Sequence, residues 1–257
     1  MTPWVLRIIV ANVLMYLVMY GHVLPPQVIN ALVLVPVNVP VEPWTPVTYM
    51  FLHGGLWHIF LNMLVLYFFG PRVEARIGGG HFLALYFLSG LGGAALSFVQ
   101  PAVPVIGASA AVFGVLLVYA RYWPHDRVYI WGVLPIEARW LAIGMAVMEL
   151  SFGLLGIEPG VAHFAHIGGF AAAFIYLKWM EHSSPARRFK QRATGNGEVM
   201  RRHSEQEALR RWSSIRREGL HEINRMEVDR LLEKVAREGP QSLTPDERAA
   251  LDRFSMR

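Results

Sequence analysis

The sequence predicts an all-α, polytopic membrane protein, in which a bundle of six transmembrane helices is followed by a cytoplasmic helical C-terminal tail. Three observations predict it. Of the 257 residues, 54% are hydrophobic and 17% are charged, whereas an ordinary soluble domain carries about 25% charged residues. The charged residues are concentrated near the C-terminus, and Lys and Arg occur in alternate loops between the apolar stretches.

Six stretches are apolar enough to cross a bilayer, which takes about 20 residues of α-helix. They lie near residues 4–22, 45–70, 81–99, 104–120, 140–156 and 160–178. We interpret residues 1–180 as the membrane domain, 181–205 as a polar linker and 206–257 as a small cytoplasmic helical appendage.

The distribution of charge favours this division. Residues 1–180 contain seven Lys or Arg and six Asp or Glu, so most of the net charge of +5 lies in residues 181–257. Acidic and basic residues are interleaved in the tail, which is typical of a solvated helix surface and argues against nucleic-acid binding. The chain has no Cys, which excludes disulfides, thiol nucleophiles and Cys-ligated metals.

The loops follow the positive-inside rule, under which Lys and Arg gather on the cytoplasmic side. Residues 23–44, 100–103 and 157–159 contain neither, whereas 71–80 and 121–139 carry Arg. This alternation predicts that both termini are cytoplasmic. It also predicts that the second, fourth and sixth spans begin at the outer side.

The appendage has the pattern of short amphipathic helices. Apolar residues recur at helical spacing as far as Gly239-Pro240, a pair that ends a helix. The string TPDE, from Thr244 to Glu247, then resembles a capping box with Pro at the first helical position. We expect a small helical unit that is too short to bury a large core alone.

Polar residues inside a membrane are costly, so each needs an explanation. Ser109 lies near the outer end of the fourth span in the string GASAAVFG. Taken alone, a serine among small residues is more often a packing residue than a nucleophile. The sixth span, however, presents His163 and His166 at a similar depth, about two turns from its outer end.

Small residues predict that these two spans lie in close contact. Gly169 and Ala173 form a small-xxx-small face on the sixth span, and Ala110 and Gly114 form a matching face on the fourth. Such contact would bring a serine hydroxyl and an imidazole within hydrogen-bond reach, which is the minimum for an activated nucleophile.

The second span carries two further polar residues. His58 and Asn62 are separated by four positions, so they share one helix face. If they point into a shared cavity, they can stabilise an oxyanion. The alternative is a pair of interhelical hydrogen bonds that hold the bundle together.

Four motifs give the sequence a resemblance to a known family. HGGLWHIFLN, GASAAVFG and AHFAHIGGF follow one another on the second, fourth and sixth spans, and FGPRVEARIGGG follows the second span. In this order they resemble the rhomboid intramembrane serine proteases, over about residues 4–178. The resemblance implies a rhomboid-like bundle. Ala110 and Ala173 depart from the family pattern, which usually has Gly at both positions.

The resemblance also implies roles for individual residues. Ser109 would be the nucleophile and His166 the general base, without a third acidic residue. His58, Asn62 and the backbone N–H of Ser109 would hold the oxyanion. Phe113 would stack on the catalytic imidazole.

The remaining site residues implied by the resemblance are structural, and neither a metal nor a cofactor is expected. The structural residues are Glu74, Arg76, Gly78, Gly107, Gly114 and Gly169.

The function that follows is intramembrane proteolysis. We expect an endopeptidase that cleaves single-span membrane proteins within or near the outer end of their transmembrane helix. The expected partners are these substrates, the lipid bilayer and a cytoplasmic partner of the tail, but no nucleic acid. The expected location is a bacterial plasma membrane, with the active site open to the outer side.

Three other hypotheses compete with intramembrane proteolysis by a serine enzyme. A catalytically inactive rhomboid-like protein would bind membrane clients without cutting them. A metalloprotease would use His53, His58, His163 and His166, but the H-E-x-x-H string of common zinc proteases is absent. A transporter is disfavoured because the spans show no obvious inverted repeat.

Three polar residues are left with lesser roles. We interpret His53 as an interfacial residue, and His163 as a residue that helps to shape the site. Glu149 in the fifth span is the most costly polar group, and we expect it to form a hydrogen bond within the bundle or to stay protonated.

Overall fold

The computed structural model describes residues 1–130, 132–157, 161–183, 200–218 and 220–255, which form two compact units, Met1–His182 and Ser183–Arg257. The helices of the membrane unit are α1 (Pro3–Tyr20), α2 (Pro26–Asn30), α3 (Thr45–Thr48), α4 (Leu56–Ile77), α5 (Gly79–Leu96), α6 (Ser109–Tyr122), α7 (Ala138–Leu155) and α8 (His163–Ser183). Short 3-10 turns lie at Pro36–Asn38, Tyr49–Phe51 and Ser97–Val99.

The fold is that of a helical membrane protein. Among the described residues, four helices are long and apolar enough to cross a bilayer: Pro3–Tyr20, Leu56–Ile77, Gly79–Val99 and Ala138–Leu155. The prediction of six transmembrane helices is therefore not confirmed.

Helix α6 is apolar but too short for that criterion, because its 14 residues extend only about 21 Å at 1.5 Å per residue. Ten of those residues are buried, so α6 lies in the centre of the unit with the other helices around it.

The second predicted span, residues 45–70, is wrong at its start. Helix α4 begins only at Leu56, and the preceding residues form α3, a 3-10 turn and an extended stretch. Gly54 and Gly55 explain the break, since adjacent glycines favour extended backbone over helix. The hydroxyl of Tyr49 donates a hydrogen bond to the carbonyl of Gly90, 2.7 Å away, and ties the turn to α5.

Two other boundaries differ from the sequence prediction. The fourth span begins at Ser109 rather than at residue 104, because the positive φ of Gly107 (119°) is incompatible with a helix through that residue. The loop at 121–139 contains an antiparallel hairpin, β1 (Arg127–Ile130) and β2 (Leu134–Glu137), which the all-α prediction did not include.

Three of the predicted structural residues lie at the C-terminal end of α4. The carboxylate of Glu74 is buried and accepts the backbone N–H groups of Trp4 (3.2 Å) and Val5 (2.9 Å). These donors belong to the first turn of α1 and lack partners within the helix. The guanidinium of Arg76 lies 5.1 Å from the ring of Tyr122, and Gly78 joins α4 to α5 with φ of 85°.

A polar cluster joins α4 and α6 to the turn before the hairpin. The hydroxyl of Tyr119 donates to the Asp126 carboxylate at 2.8 Å, and the Arg72 guanidinium donates to Tyr119 at 3.2 Å and also to Asp126. The hydrogen bond from Tyr119 and the neighbouring Arg72 charge hold the pKa of Asp126 below its ordinary value of 3.8.

Replacing Asp126 by Asn is expected to lower Tm by a few degrees at pH 7. The physical reason is linkage: a carboxyl with a lowered pKa in the folded state stabilises that state above its ordinary pKa. That contribution is lost as the pH falls through the lowered pKa, so the Tm difference between wild type and Asp126→Asn shrinks in acid. Thermal unfolding in detergent from pH 7 to pH 3 measures this, and a difference independent of pH would contradict it.

The second unit is a small helical domain. Helical residues 200–213 (α9) are followed by α10 (Glu222–Glu238) and α11 (Pro245–Ser255). Trp212, Val228, Leu231 and Leu251 contribute to its core.

The predicted capping box is confirmed at the start of α11. The N–H of Thr244 donates to the Glu247 carboxylate at 2.9 Å, and the N–H of Glu247 donates to the Thr244 hydroxyl at 3.2 Å. Most of the predicted linker, 181–205, and most of the predicted turn near 157–159 lie outside the described residues.

Candidate active site

Ser109 is the first residue of α6, and its position follows from the residue two places before it. Gly107 has φ of 119°, a conformation that L side chains rarely adopt, and this turn ends the extended chain immediately before the helix. As a first-turn residue, Ser109 has a backbone N–H without a partner inside the helix. Both its hydroxyl and its N–H are therefore available at the N-terminus of α6.

His166 on α8 meets this hydroxyl directly. Its Nε2 atom lies 2.7 Å from Oγ of Ser109, a short hydrogen-bond distance for a hydroxyl and an imidazole. The side chain of His166 is 12% exposed, so the contact is sheltered but accessible. A hydroxyl held in this way can pass its proton to the imidazole as it attacks a carbonyl carbon.

Close packing of small residues produces this contact. A Cβ added to Gly169 on α8 would clash with the backbone of Ala110 on α6. One turn further along each helix, a Cβ on Gly114 would meet the side chains of Ser89 and, at 3.2 Å, Ala173. The structure thus brings together the two small faces that the sequence singled out.

Helix α5 makes the same kind of approach, which the sequence analysis missed. A Cβ on Gly168 of α8 would clash with the backbone of Gly92 on α5, and one on Gly93 would lie 2.9 Å from the carbonyl oxygen of Ala165. The signal was present in the string GLGGAAL, since several small residues in one membrane helix indicate close helix contact.

Phe113 packs against His166 as expected, but by its edge. The ring centroids are 4.7 Å apart with an interplanar angle of 62°, an edge-to-face arrangement rather than a parallel stack. Phe170 also packs against Phe113, with ring centroids 5.0 Å apart. These aromatic contacts restrict the rotation of the imidazole.

His58 is near Ser109 at the start of α4. Its Nδ1 atom accepts the N–H of Gly54 at 3.4 Å, so the ring proton belongs on Nε2. That nitrogen faces Gly107: a Cβ added there would lie 2.5 Å from Nε2 and 3.7 Å from Oγ of Ser109. His58 thus presents a donor close to the serine hydroxyl.

Asn62 lies one turn after His58 on the same face of α4. Its amide donates one hydrogen bond to the carbonyl of His58 at 2.9 Å. An amide has two N–H donors, which leaves the second for another acceptor. Both side chains line an open cavity of about 670 Å³, together with Ser109, His166 and Phe113.

His53 is not the interfacial residue that the sequence suggested. It is 2% exposed, and its ring packs edge-on against His58 with centroids 4.9 Å apart. The physical reason is the extended stretch before α4, which turns this side chain into the bundle instead of leaving it on a helix surface.

Glu149 and His163 form a cluster with His166 that the sequence did not predict. Oε2 of Glu149, on α7, lies 2.6 Å from Nδ1 of His163 and 2.8 Å from Nδ1 of His166. Nδ1 of His166 has no aligned hydrogen bond within the described part of the chain, so this second contact is electrostatic. The side chains of Glu149 and His163 are 7% and 6% exposed.

The predicted residues therefore divide into two groups. Ser109, His166, His58, Asn62 and Phe113 surround one cavity where α4, α6 and α8 begin. The predicted structural residues Glu74, Arg76 and Gly78 lie where α4 ends and α5 begins. The first group defines the class: a helical membrane protein with a serine and a histidine paired in a sheltered cavity.

The chain belongs to the rhomboid family. Residues 40–182, more than half of the chain, match the family model of the Rhomboid domain. Residues 221–257 match the model of a family of unknown function (DUF6576).

Curated relatives each match about half of the chain. RHOMBOID-like protein 4 of Arabidopsis thaliana is 37% identical over 137 residues, which are 52% of this chain and 33% of the relative. The mitochondrial Rhomboid protein 1 of Saccharomyces cerevisiae is 30% identical over 134 residues, 49% of this chain and 38% of the relative. Inactive RHOMBOID-like protein 8 of Arabidopsis thaliana is 34% identical over 131 residues, which are 50% of this chain and 36% of the relative. The chain thus spans little more than a third of the length of these relatives.

Proposed function

We propose that this protein is an intramembrane serine endopeptidase that uses Ser109 and His166. The observation that carries the proposal is the 2.7 Å separation between Oγ of Ser109 and Nε2 of His166. One relative is named as inactive, so membership of the family alone does not decide activity. The paired serine and histidine favour the enzyme over the alternative of an inactive protein that binds membrane clients.

The proposed reaction has two halves. Oγ of Ser109 attacks the scissile carbonyl carbon while Nε2 of His166 takes the hydroxyl proton, and the carbonyl π electrons move to oxygen. The oxyanion accepts hydrogen bonds from the N–H of Ser109, from His58 and from Asn62. His166 then gives its proton to the leaving amine, and a water molecule hydrolyses the acyl-enzyme by the same proton transfers.

The proposed substrate class follows from the backbone of a membrane helix. A transmembrane helix has its carbonyl groups already in hydrogen bonds, so it must unwind locally before one of them reaches Ser109. Substrates are therefore single-span membrane proteins with helix-weakening residues near the end of the span. The loop charges support an orientation with both termini in the cytoplasm and the cavity on the outer side.

The relatives bear on the location in one respect. They come from a plant and a yeast, and two are named as mitochondrial, so they do not support the bacterial plasma membrane that we expected. The integral membrane location itself rests on the apolar helices and the family. A cytoplasmic partner of the tail stays a prediction.

Co-expression with a tagged single-span reporter tests the proposed function. Wild type is expected to release the reporter's outer domain, and Ser109→Ala is not, at equal membrane levels of the two proteins. A chelator is expected to leave cleavage unchanged, which separates this chemistry from that of a metalloprotease. Equal cleavage by wild type and Ser109→Ala would refute the proposal.

Replacing Gly107 by Ala is expected to lower kcat by about tenfold or more, since oxyanion-hole geometry accounts for effects of this size or larger. The added Cβ would lie 2.5 Å from Nε2 of His58 and would strain a backbone with φ of 119°. Reporter cleavage in proteoliposomes measures it. The control is Gly144→Ala on α7, where an added Cβ has no other element of the described structure within 4 Å. Equal rates in the two variants would contradict the expectation.

A further inference from the structure

The hydrogen bonds of His163 determine how many protons its cluster holds. Nε2 of His163 lies 3.0 Å from the carbonyl oxygen of Ile157, which can only accept, so Nε2 carries a proton. Nδ1 lies 2.6 Å from Oε2 of Glu149, and one more proton must lie between these two atoms. The pair is therefore an imidazolium with a carboxylate, or the neutral equivalent, and it carries no net charge in either form.

A pair without net charge is much less costly inside a membrane than an isolated carboxylate. His163 thus allows an acidic group to be present next to the proposed active site. Oε2 of Glu149 still has a lone pair for a second donor, because a carboxylate oxygen accepts more than one hydrogen bond.

The ring of His166 lies within reach of this lone pair. If Nε2 of His166 is to accept the proton of Ser109, the ring proton must be on Nδ1. Nδ1 is buried, and within the described part of the chain no group accepts an aligned hydrogen bond from it. Oε2 of Glu149, 2.8 Å away, is the acceptor within reach. A neutral imidazole without this acceptor would be free to carry its proton on Nε2, where it blocks proton uptake.

We propose that Glu149 is a positioning residue that holds His166 in the Nδ1–H tautomer and stabilises its imidazolium form. The proposal rests on the serine protease function proposed above. In the reaction, the proton of Ser109 moves to Nε2 of His166 as the bond from Oγ to carbon forms, and Glu149 neither gains nor loses a proton. The Ser–His pair implied by the family resemblance thereby acquires a carboxylate from α7.

A metal ion is the competing explanation for this cluster. The ligand atoms of Glu149, His163 and His166 all lie within 4.8 Å of one another. Two atoms bound tetrahedrally to one zinc ion at 2.0–2.1 Å are separated by more than about 3 Å. The observed separations of 2.6 and 2.8 Å are shorter than that, and the first of them is a hydrogen bond between the imidazole of His163 and the carboxylate of Glu149.

Glu149→Gln tests the proposal, because it keeps the size of the side chain and removes its charge. We expect kcat to fall by about 100-fold or more, by analogy with loss of the acidic partner in other Ser–His enzymes. KM is expected to stay within about threefold of wild type, since Glu149 is not among the residues that line the cavity. Glu149→Asp restores the charge and is expected to recover at least about tenfold of the loss.

The control is Ser151→Ala on the same helix. Within the described part of the chain its hydroxyl donates a hydrogen bond to the carbonyl of Val147, one turn earlier, and its removal should leave kcat unchanged. A kcat for Glu149→Gln within threefold of wild type would overturn the proposal. So would equal losses for Glu149→Gln and Glu149→Asp, which would indicate that only packing matters.

Nitrogen NMR of ¹⁵N-histidine protein reads the tautomer without any need for activity. Signals of His166 are assigned by their absence in His166→Ala. We expect a protonated Nδ1 in wild type and a protonated Nε2 in Glu149→Gln. A protonated Nε2 in wild type would overturn the proposal. This outcome can be read from wild type alone, so the test holds even where Glu149→Gln does not fold. If wild type shows the expected tautomer but does not cleave the reporter, the protease proposal fails. Glu149 would then set the tautomer of His166, but there would be no proteolysis for this to assist.

Discussion

Replacing Ser109 by Ala is expected to lower reporter cleavage by at least about 10³-fold, because the nucleophile of the proposed acyl-enzyme is lost. His166→Ala is expected to give a loss of similar size, since a serine hydroxyl is a poor nucleophile without a base to take its proton. The 2.7 Å contact between the two side chains implies that they act as one unit. The double variant should therefore be no slower than either single variant.

The two substitutions have different structural costs, which the measurement must take into account. Ser109→Ala removes one oxygen at the N-terminus of α6. His166→Ala removes a whole imidazole, which is the packing partner of Phe113. We expect Ser109→Ala to retain the Tm of wild type and His166→Ala to lose several degrees. Losses of activity that multiply in the double variant would show independent roles and would contradict the account.

The second large effect is expected from Gly169→Val, which should prevent assembly of the bundle. A Cβ at this position would overlap the backbone of Ala110, and backbone cannot move aside as the end of a flexible side chain can. Overpacking of a well-packed site costs about 1–3 kcal/mol and occasionally more, and a backbone obstacle belongs to the severe cases. We expect little protein to survive extraction in detergent and a Tm that is lower by at least about 10 °C.

Gly144→Ala is the matched control for this prediction. It also adds a methyl carbon to a glycine inside a helix, but among the described residues no neighbouring element comes within 4 Å of the new Cβ. Because Ala has the higher helix propensity, its Tm should be equal to or slightly above that of wild type. A Gly169→Val protein with a wild-type Tm would show that α6 and α8 are not in backbone contact.

The site was predictable from the sequence to the extent that it depends on close helix contact. The small residues Gly169, Ala173, Ala110 and Gly114 recur at the spacing of one helix face, and that pattern indicates which faces meet. Once two faces are known to meet, the depth of Ser109 and His166 along their helices follows from counting residues.

The cluster around Glu149 was not predictable in this way. Helix α7 has small residues on more than one side, at Gly144 as well as at Ala142, Ala146 and Gly153, so the sequence does not say which side of α7 faces the bundle. In the structure it is Gly153 that faces α8, where an added Cβ would lie 3.2 Å from the side chain of His163. A single acidic residue can satisfy its hydrogen bonds with any neighbour, and the choice of His163 and His166 depends on how α7 is rotated about its axis. Only the three-dimensional arrangement determines that rotation.

The start of α4 was mispredicted for a different reason. Residues 45–55 contain the apolar run Met50-Phe51-Leu52, and joining this run to the apolar stretch that follows extends the predicted helix. The adjacent Gly54 and Gly55 instead end the extended stretch and begin α4 at Leu56. Backbone preferences outweigh apolar composition at this point, and they place His53 next to His58 inside the unit.

Labelling with a fluorophosphonate probe tests the central claim most directly, because the probe reacts only with a serine whose hydroxyl is activated by a neighbouring base. Purified wild type should form one adduct, which peptide mass spectrometry locates on Ser109, and His166→Ala should be labelled far more slowly. An adduct on another residue, or equal labelling of wild type and Ser109→Ala, would contradict the account.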